Sequence, residues 1–193
     1  MRHAKTPYGD DIFVSTTDFS LSREGIKQAR EIGRELRGER IDAIYCSMLK
    51  RSVQTAEEIG KILKIKPEKH RELNEVRFGI FEGLKKEEAK AKYPEVYKKR
   101  ESDAWNFRIP GGESYREAAE RAGRFIKKLI RKHPKGTLLF VIHAGLIKAL
   151  LKYLLDMDMK EVTRLGYTNG CMIFLKNENN RIELIEMRGV IRA

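Results

Sequence analysis

Thr137-Leu138-Leu139-Phe140-Val141-Ile142-His143-Ala144-Gly145 decides how this chain is read. The run from Leu138 to Ile142 has no polar face, the pattern of a parallel strand covered on both sides. It ends in a histidine, and the Ala144-Gly145 turn leads into a helix through Leu155. In open α/β sheets ligands collect where strands give way to loops, so His143 stands where chemistry is expected.

A second histidine sits at the other end of the chain, in Met1-Arg2-His3-Ala4-Lys5, with an arginine at its shoulder. Residues 7 to 20 carry the breakers Pro7, Gly9, Asp10 and Asp11 and read as irregular. Ser22 is placed to cap a helix of about sixteen residues in which Ile26, Ala29, Ile32 and Leu36 recur at helical spacing, and Gly38 ends it. Ile41 to Cys46 reads as a short buried strand. Ser47 is read as the cap of the next helix, with Val53, Ala56, Ile59 and Leu63 as its inward stripe and Arg51 in its first turn, where helix N–H groups favour an anion.

Pro67 to Leu73 reads as a weak edge strand, and Leu73 to Gly83 as a glycine-containing loop holding Glu75 and Glu82. Residues 84 to 101 form a charged helical hairpin broken at Pro94. After the Pro110-Gly111-Gly112 turn, Glu113 or Ser114 starts a long helix with Ala118, Ala122, Phe125, Ile126, Leu129 and Ile130 inward. Cys171 to Lys176 and Arg181 to Met187 pair as a hairpin around Asn177 to Asn180. Alternating strands and helices imply an α/β fold, a mostly parallel sheet with helices on both faces.

Composition narrows the class. A chain of 193 residues buries about 70% of its unfolded surface without staples. Cys46 and Cys171 form no C-x-x-C pair, which favours a reducing compartment. The N-terminal region shows no apolar signal segment, and the apolar stretch from Leu138 to Leu151 is interrupted and shorter than the roughly 18 residues of a membrane span. A cytoplasmic protein is expected. The net charge of +12 is spread among glutamates with no recognised nucleic-acid module, so it reads as a solvated surface that steers anionic substrates.

The residue types suit phosphoryl transfer to an imidazole. Guanidinium forks bind a phosphate dianion best, and Arg2 and Arg51 are the candidates. Their charge favours a neutral neighbouring imidazole able to attack phosphorus, which makes His3 the nucleophile and His143 its partner. A loop carboxylic acid can protonate the leaving oxygen and then take a proton from water; Glu75 is the first choice and Glu82 the second. His70 and His133 read as surface residues. There is no P-loop, H-E-x-x-H or G-x-S-x-G motif, and Cys46 to Arg51 encloses four residues where a cysteine phosphatase places five.

Arg2-His3-Ala4, Leu21 to Ala29, Cys46 to Ala56, Leu73-Asn74-Glu75 with Gly79 to Gly83, and His143-Ala144-Gly145 together resemble, in order, the motifs of the histidine phosphatase superfamily, the phosphoglycerate mutase-like proteins. The resemblance implies a single three-layer α/β/α domain with residues 84–109 as a helical lid. It implies a phosphohistidine on His3, phosphate held by Arg2, Arg51, His143 and Ala144, Glu75 as acid and then base, and no metal or other cofactor. Ala4 and Ala144 replace glycines, and Lys5 stands where the family often has Glu.

In that family a central strand precedes the Arg-His pair, so the first strand is expected to be missing from this chain, with Met1 internal to it. Trp105 to Ser114 looks more like the small phosphatases, including α-ribazole phosphatase and broad-specificity phosphatases, than the longer mutases. The expected substrate is a small phosphorylated metabolite, α-ribazole 5'-phosphate among the options. A cofactor-dependent mutase and an inactive phosphate-binding module are the alternatives. No membrane or nucleic-acid partner is expected, and a homodimer is left open.

Overall fold

The computed structural model describes residues 1–9, 11–179 and 181–192. Asp10 among the predicted breakers and Asn180 in the predicted hairpin turn lie outside these. The elements run α1 (Arg23–Glu35), β1 (Ala43–Cys46), α2 (Lys50–Leu63), β2 (Glu68–Lys69), α3 (Lys86–Lys92), α4 (Pro94–Ser102), α5 (Tyr115–Lys132), β3 (Leu138–Val141), α6 (Ala144–Leu155), α7 (Met159–Arg164), β4 (Leu165–Glu178) and β5 (Arg181–Arg192).

The architecture is mixed α/β. A parallel sheet has the strand order β2-β1-β3, and β4 pairs with β5 in an antiparallel ribbon. Alternation along β1 sorts its side chains into two cores. Ile44 and Cys46, with Val141 of β3, pack with Ile32, Ala56 and Ile59 of α1 and α2. Tyr45 turns the other way, into the core built on Ile126 of α5 and Leu146 and Leu150 of α6.

Met1-Arg2-His3 bridges the two sheets. Arg2 pairs in parallel with Ile142; Ile142 N donates to Met1 O at 2.9 Å and His3 N to Ile142 O at 2.9 Å. On the other side Arg2 N donates to Cys171 O at 3.0 Å and Gly170 N to His3 O at 3.2 Å. These residues therefore run parallel to β3 and antiparallel to β4.

Sequence signals placed most element starts. Ser22 caps α1 by accepting from Gly25 N, and Ser114 closes a reciprocal capping box with Glu117 on α5. Pro94 separates α3 from α4. Four readings are corrected. Ser47 is not the cap of α2, which starts after Leu49; its hydroxyl accepts from Leu49 N at 3.2 Å and also bonds a histidine. The Pro67–Leu73 strand shrinks to Glu68–Lys69, followed by a 3-10 turn at Arg71–Leu73. The terminal strands are longer than expected, spanning Leu165–Glu178 and Arg181–Arg192. Leu138, Leu139 and Phe140 are only half-buried, since one edge of β3 faces a cavity.

Among the described residues, no helix is long and apolar enough to cross a membrane.

Candidate active site

The two histidines, 140 positions apart in the chain, meet. Their ring centres lie 5.3 Å apart with the planes tilted at 56°. His3 is brought there by its pairing beside β3, and His143 by the turn from β3 into α6. The flanking alanines cause no strain: neither Ala4 nor Ala144 is among the residues with positive φ, so the loss of glycine is tolerated.

His3 Nδ1 lies 2.8 Å from Ala4 O. A carbonyl oxygen only accepts, so the proton is on Nδ1, and in the neutral ring the lone pair is on Nε2. His143 is fully buried. Its Nε2 is 2.8 Å from Ser47 Oγ, while its Nδ1 is buried without a hydrogen-bond partner among the described residues. Burial, then the charges of Arg51, His3, Arg2 and Arg121, hold its pKa well below the ordinary 6.5. A neutral ring with one unsatisfied nitrogen is prepared for a polar ligand atom.

Both predicted arginines are buried beside the histidines. Arg2 Nη1 donates to Tyr167 O at 2.5 Å. Arg51 Nη1 donates to Thr17 O at 3.0 Å and Nη2 to Val14 O at 3.4 Å. Its pKa is lowered, chiefly by burial, with Glu75 opposing. Ala4 N, beside His3, is held by Thr55 Oγ1 at 3.0 Å.

Glu75 is docked on the start of α6. Its Oε1 accepts from Leu146 N at 2.7 Å and Val76 N at 2.8 Å, and its Oε2 accepts from Gly145 N at 3.0 Å. Burial raises its pKa, while these bonds and Arg51 pull it back. A methyl group at Gly145 would stand 2.8 Å from Glu75 Oε1, so only glycine lets the carboxyl dock here. Ala144 opens the same helix, where backbone N–H groups have no intrahelical acceptor.

Glu82 is otherwise employed. It accepts from the backbone of Ser15, Thr16 and Thr17 and from the Ser15 and Thr17 hydroxyls. Burial pushes its pKa up, but the Ser15 and Thr17 bonds outweigh this and lower it. The carboxylate thus shapes the loop that anchors Arg51.

His70 and His133 are half-buried rather than surface groups. His70 lies 4.5 Å from the Phe125 ring centre, and His133 Nε2 is 3.2 Å from Tyr45 Oη. Both lie against Tyr45, at 5.8 and 6.5 Å between ring centres. Burial pushes the Cys46 thiol up to about 12, which leaves it a core residue.

Several site residues escaped the sequence reading. Ser47, taken for a helix cap, orients His143. Arg121 clamps the turn before Glu75, donating to Glu72 O and Asn74 O and pairing with Glu113 at 2.6 Å; only its half-buried position on α5 could have flagged it. Lys148, one turn into α6, sits 5.4 Å from the ring centre of Tyr167, whose carbonyl holds Arg2. Its pKa falls to about 8 through burial and the nearby Lys86 and Arg100 charges, against the pull of Glu75.

Comparison with known proteins places this arrangement. A family model described as "Histidine phosphatase superfamily (branch 1)" matches residues 1–188. Phosphoserine phosphatase 1 of Hydrogenobacter thermophilus is 28% identical over 188 residues, covering 97% of this chain and 89% of that protein. The α-ribazole phosphatase structure from Shigella flexneri superposes with a TM-score of 0.83 at 25% identity, covering 97% of this chain and 93% of the other. A mycobacterial glucosyl-3-phosphoglycerate phosphatase solved with VO3 gives a TM-score of 0.84 at 25% identity, covering 97% and 96%. With paired histidines, flanking arginines and a match running from Met1 into the last strand, the chain belongs to the histidine phosphatase superfamily.

Proposed function

We propose that this phosphatase hydrolyses a small phosphomonoester through a phosphohistidine on His3, without a metal. The observation that carries the reading is the close approach of the two imidazoles, 5.3 Å between centres, with one nitrogen of the neutral His143 unsatisfied.

In this reading the phosphate sits between Arg2, Arg51, His143 and the start of α6 at Ala144. His3 Nε2 attacks phosphorus in line with the ester oxygen, the P–N bond forming as the P–O bond breaks. Glu75, its pKa raised by burial, gives its proton to the departing alkoxide. The resulting carboxylate takes a proton from water, whose oxygen attacks phosphorus and releases His3 and inorganic phosphate. Arg2 and Arg51 neutralise charge that builds on the non-bridging oxygens.

The helices α3 and α4 act as a lid over the site. Arg100 of α4 reaches under it, 5.2 Å from the Phe13 ring centre and 3.3 Å from Tyr115 Oη. Lys86 and Arg100 lie close enough to Lys148 to lower its pKa, a grouping of cations that suits an anionic metabolite. Similarity to phosphatases acting on phosphoserine and α-ribazole phosphate supports the class of substrate. Burial of both cysteines, Cys46 and Cys171, supports a cytoplasmic setting.

The test is turnover of p-nitrophenyl phosphate in excess chelator, with rapid quenching. Turnover and an acid-labile phosphoryl label are expected in the native chain, and neither in His3→Ala. Undiminished turnover by His3→Ala overturns the reading.

A further inference from the structure

The parallel register of β1 and β3 sets Cys46 beside Val141, so the residues just past the two strand ends, Ser47 and His143, meet at one end of the sheet. Both are fully buried. Hydrogens at this meeting point can be placed one by one, because a backbone N–H only donates and a carbonyl oxygen only accepts.

Ser52 Oγ lies 2.6 Å from Val141 O, which commits its hydrogen to that carbonyl, and it accepts from Ser47 N at 3.1 Å. Ser52 therefore has no hydrogen left to offer the Ser47 hydroxyl. Leu49 N donates to Ser47 Oγ at 3.2 Å and occupies one of the two lone pairs of that oxygen. The Ser47 hydroxyl hydrogen then has one acceptor in reach among the described residues, His143 Nε2 at 2.8 Å.

Two tautomers of the neutral ring compete for this contact. With the proton on Nε2, the ring would donate to the second lone pair of Ser47; the buried hydroxyl hydrogen and the Nδ1 lone pair would both go unmet. With the proton on Nδ1, the Ser47 hydroxyl donates to Nε2, and only the Nδ1 N–H awaits a partner. Unpaired buried polar groups are costly, and the second arrangement has one where the first has two. Burial, with the charges of Arg51, His3, Arg2 and Arg121 added to it, keeps the ring from taking a second proton.

We infer that Ser47 is a positioning residue that fixes His143 as the Nδ1–H tautomer, so that the ring meets a phosphoryl oxygen as a hydrogen-bond donor and not as a base. The two histidines are then set in opposite senses, each by one oxygen. Ala4 O accepts from His3 Nδ1 and leaves that ring its lone pair at Nε2, whereas Ser47 Oγ fills Nε2 of His143 and leaves an N–H at Nδ1. The other tautomer would turn a lone pair toward the phosphoryl oxygens and repel them. The part played at phosphate rests on the mechanism proposed above; the tautomer itself does not.

The test is nitrogen-15 NMR of the full chain labelled at histidine, in which long-range couplings show which ring nitrogen carries the proton and His143→Asn identifies the signals of His143. Near neutral pH the proton is expected on Nδ1, and a proton on Nε2 overturns the inference. Inorganic phosphate is expected to shift the Nδ1 proton to lower field as it gains an acceptor; a proton left where it was overturns the donor role. In Ser47→Ala the Nε2 form is expected to appear and the Kd for inorganic phosphate to rise about tenfold or more, while circular dichroism shows the chain still folded. An unmixed Nδ1 form in that variant overturns the role given to Ser47. His3→Ala keeps the two readings apart: undiminished turnover would sink the phosphohistidine, while the His143 tautomer stands or falls on its own spectrum.

Discussion

A hydrogen atom where other residues carry a methyl group is what admits Glu75 to the site. Gly145→Ala puts a carbon 2.8 Å from Glu75 Oε1, so the carboxyl must retreat. The expected outcome is a loss of kcat on p-nitrophenyl phosphate of about tenfold or more, the range of a general acid, with an overpacking cost of about 1–3 kcal/mol in urea unfolding. Protonation gives a second check. Because burial raises the Glu75 pKa above 4.5, the folded protein keeps a proton there that the unfolded chain gives up. Stability therefore falls as pH rises from 4.5 through the raised value, and Glu75→Gln removes that slope in melts taken across this range. Lys148 makes a third. With a pKa near 8 it is cationic below that pH and neutral above it, so KM for an anionic phosphomonoester rises above pH 8, and Lys148→Met shows the raised KM at every pH.

At the scale of elements, the loop from Leu73 to Gly83 contains a 3-10 turn at Gly79–Phe81 and is held by two ion-bearing clamps. Arg121 and Glu113 are 25% and 6% exposed, so Arg121→Met strands a buried carboxylate and should cost about 3 kcal/mol, measured by denaturant unfolding. Glu82→Ala frees the Ser15–Thr17 backbone that it ties together, and the expected result is a rise in KM as Arg51 loses its Thr17 anchor, with His3 labelling still detectable. These clamps also mark the limit of what the sequence reveals. Helices with an apolar stripe and a serine cap, such as α1 and α5, were legible because periodicity and capping are local. The paired histidines and arginines were legible because few residue types can handle a phosphate dianion. Ser47, Arg121 and Lys148 were not, since a serine, arginine or lysine near a helix gains its role only from what lies opposite it in space. β3 misled in the opposite direction: its apolar run promised a strand covered throughout, and the structure leaves one edge facing a cavity.

Across the whole molecule, the two sheets are connected through three residues. The Met1 amine is buried at that junction, and burial lowers its pKa from 8.0 to about 6, with Cys171 opposing. The unfolded chain binds that proton up to pH 8 and the folded one only up to about 6, so stability rises over this window by about 2 kcal/mol. Acetylating the amine should flatten the rise in thermal melts at pH 6, 7 and 8. The same junction hangs His3 from Ile142 on one side and Gly170 on the other. The His3 imidazole is thus a rivet through two plates. Any breathing of the β4–β5 ribbon away from the parallel sheet pulls on it before either plate melts, so heat should extinguish turnover at a temperature where the helical circular dichroism is still intact.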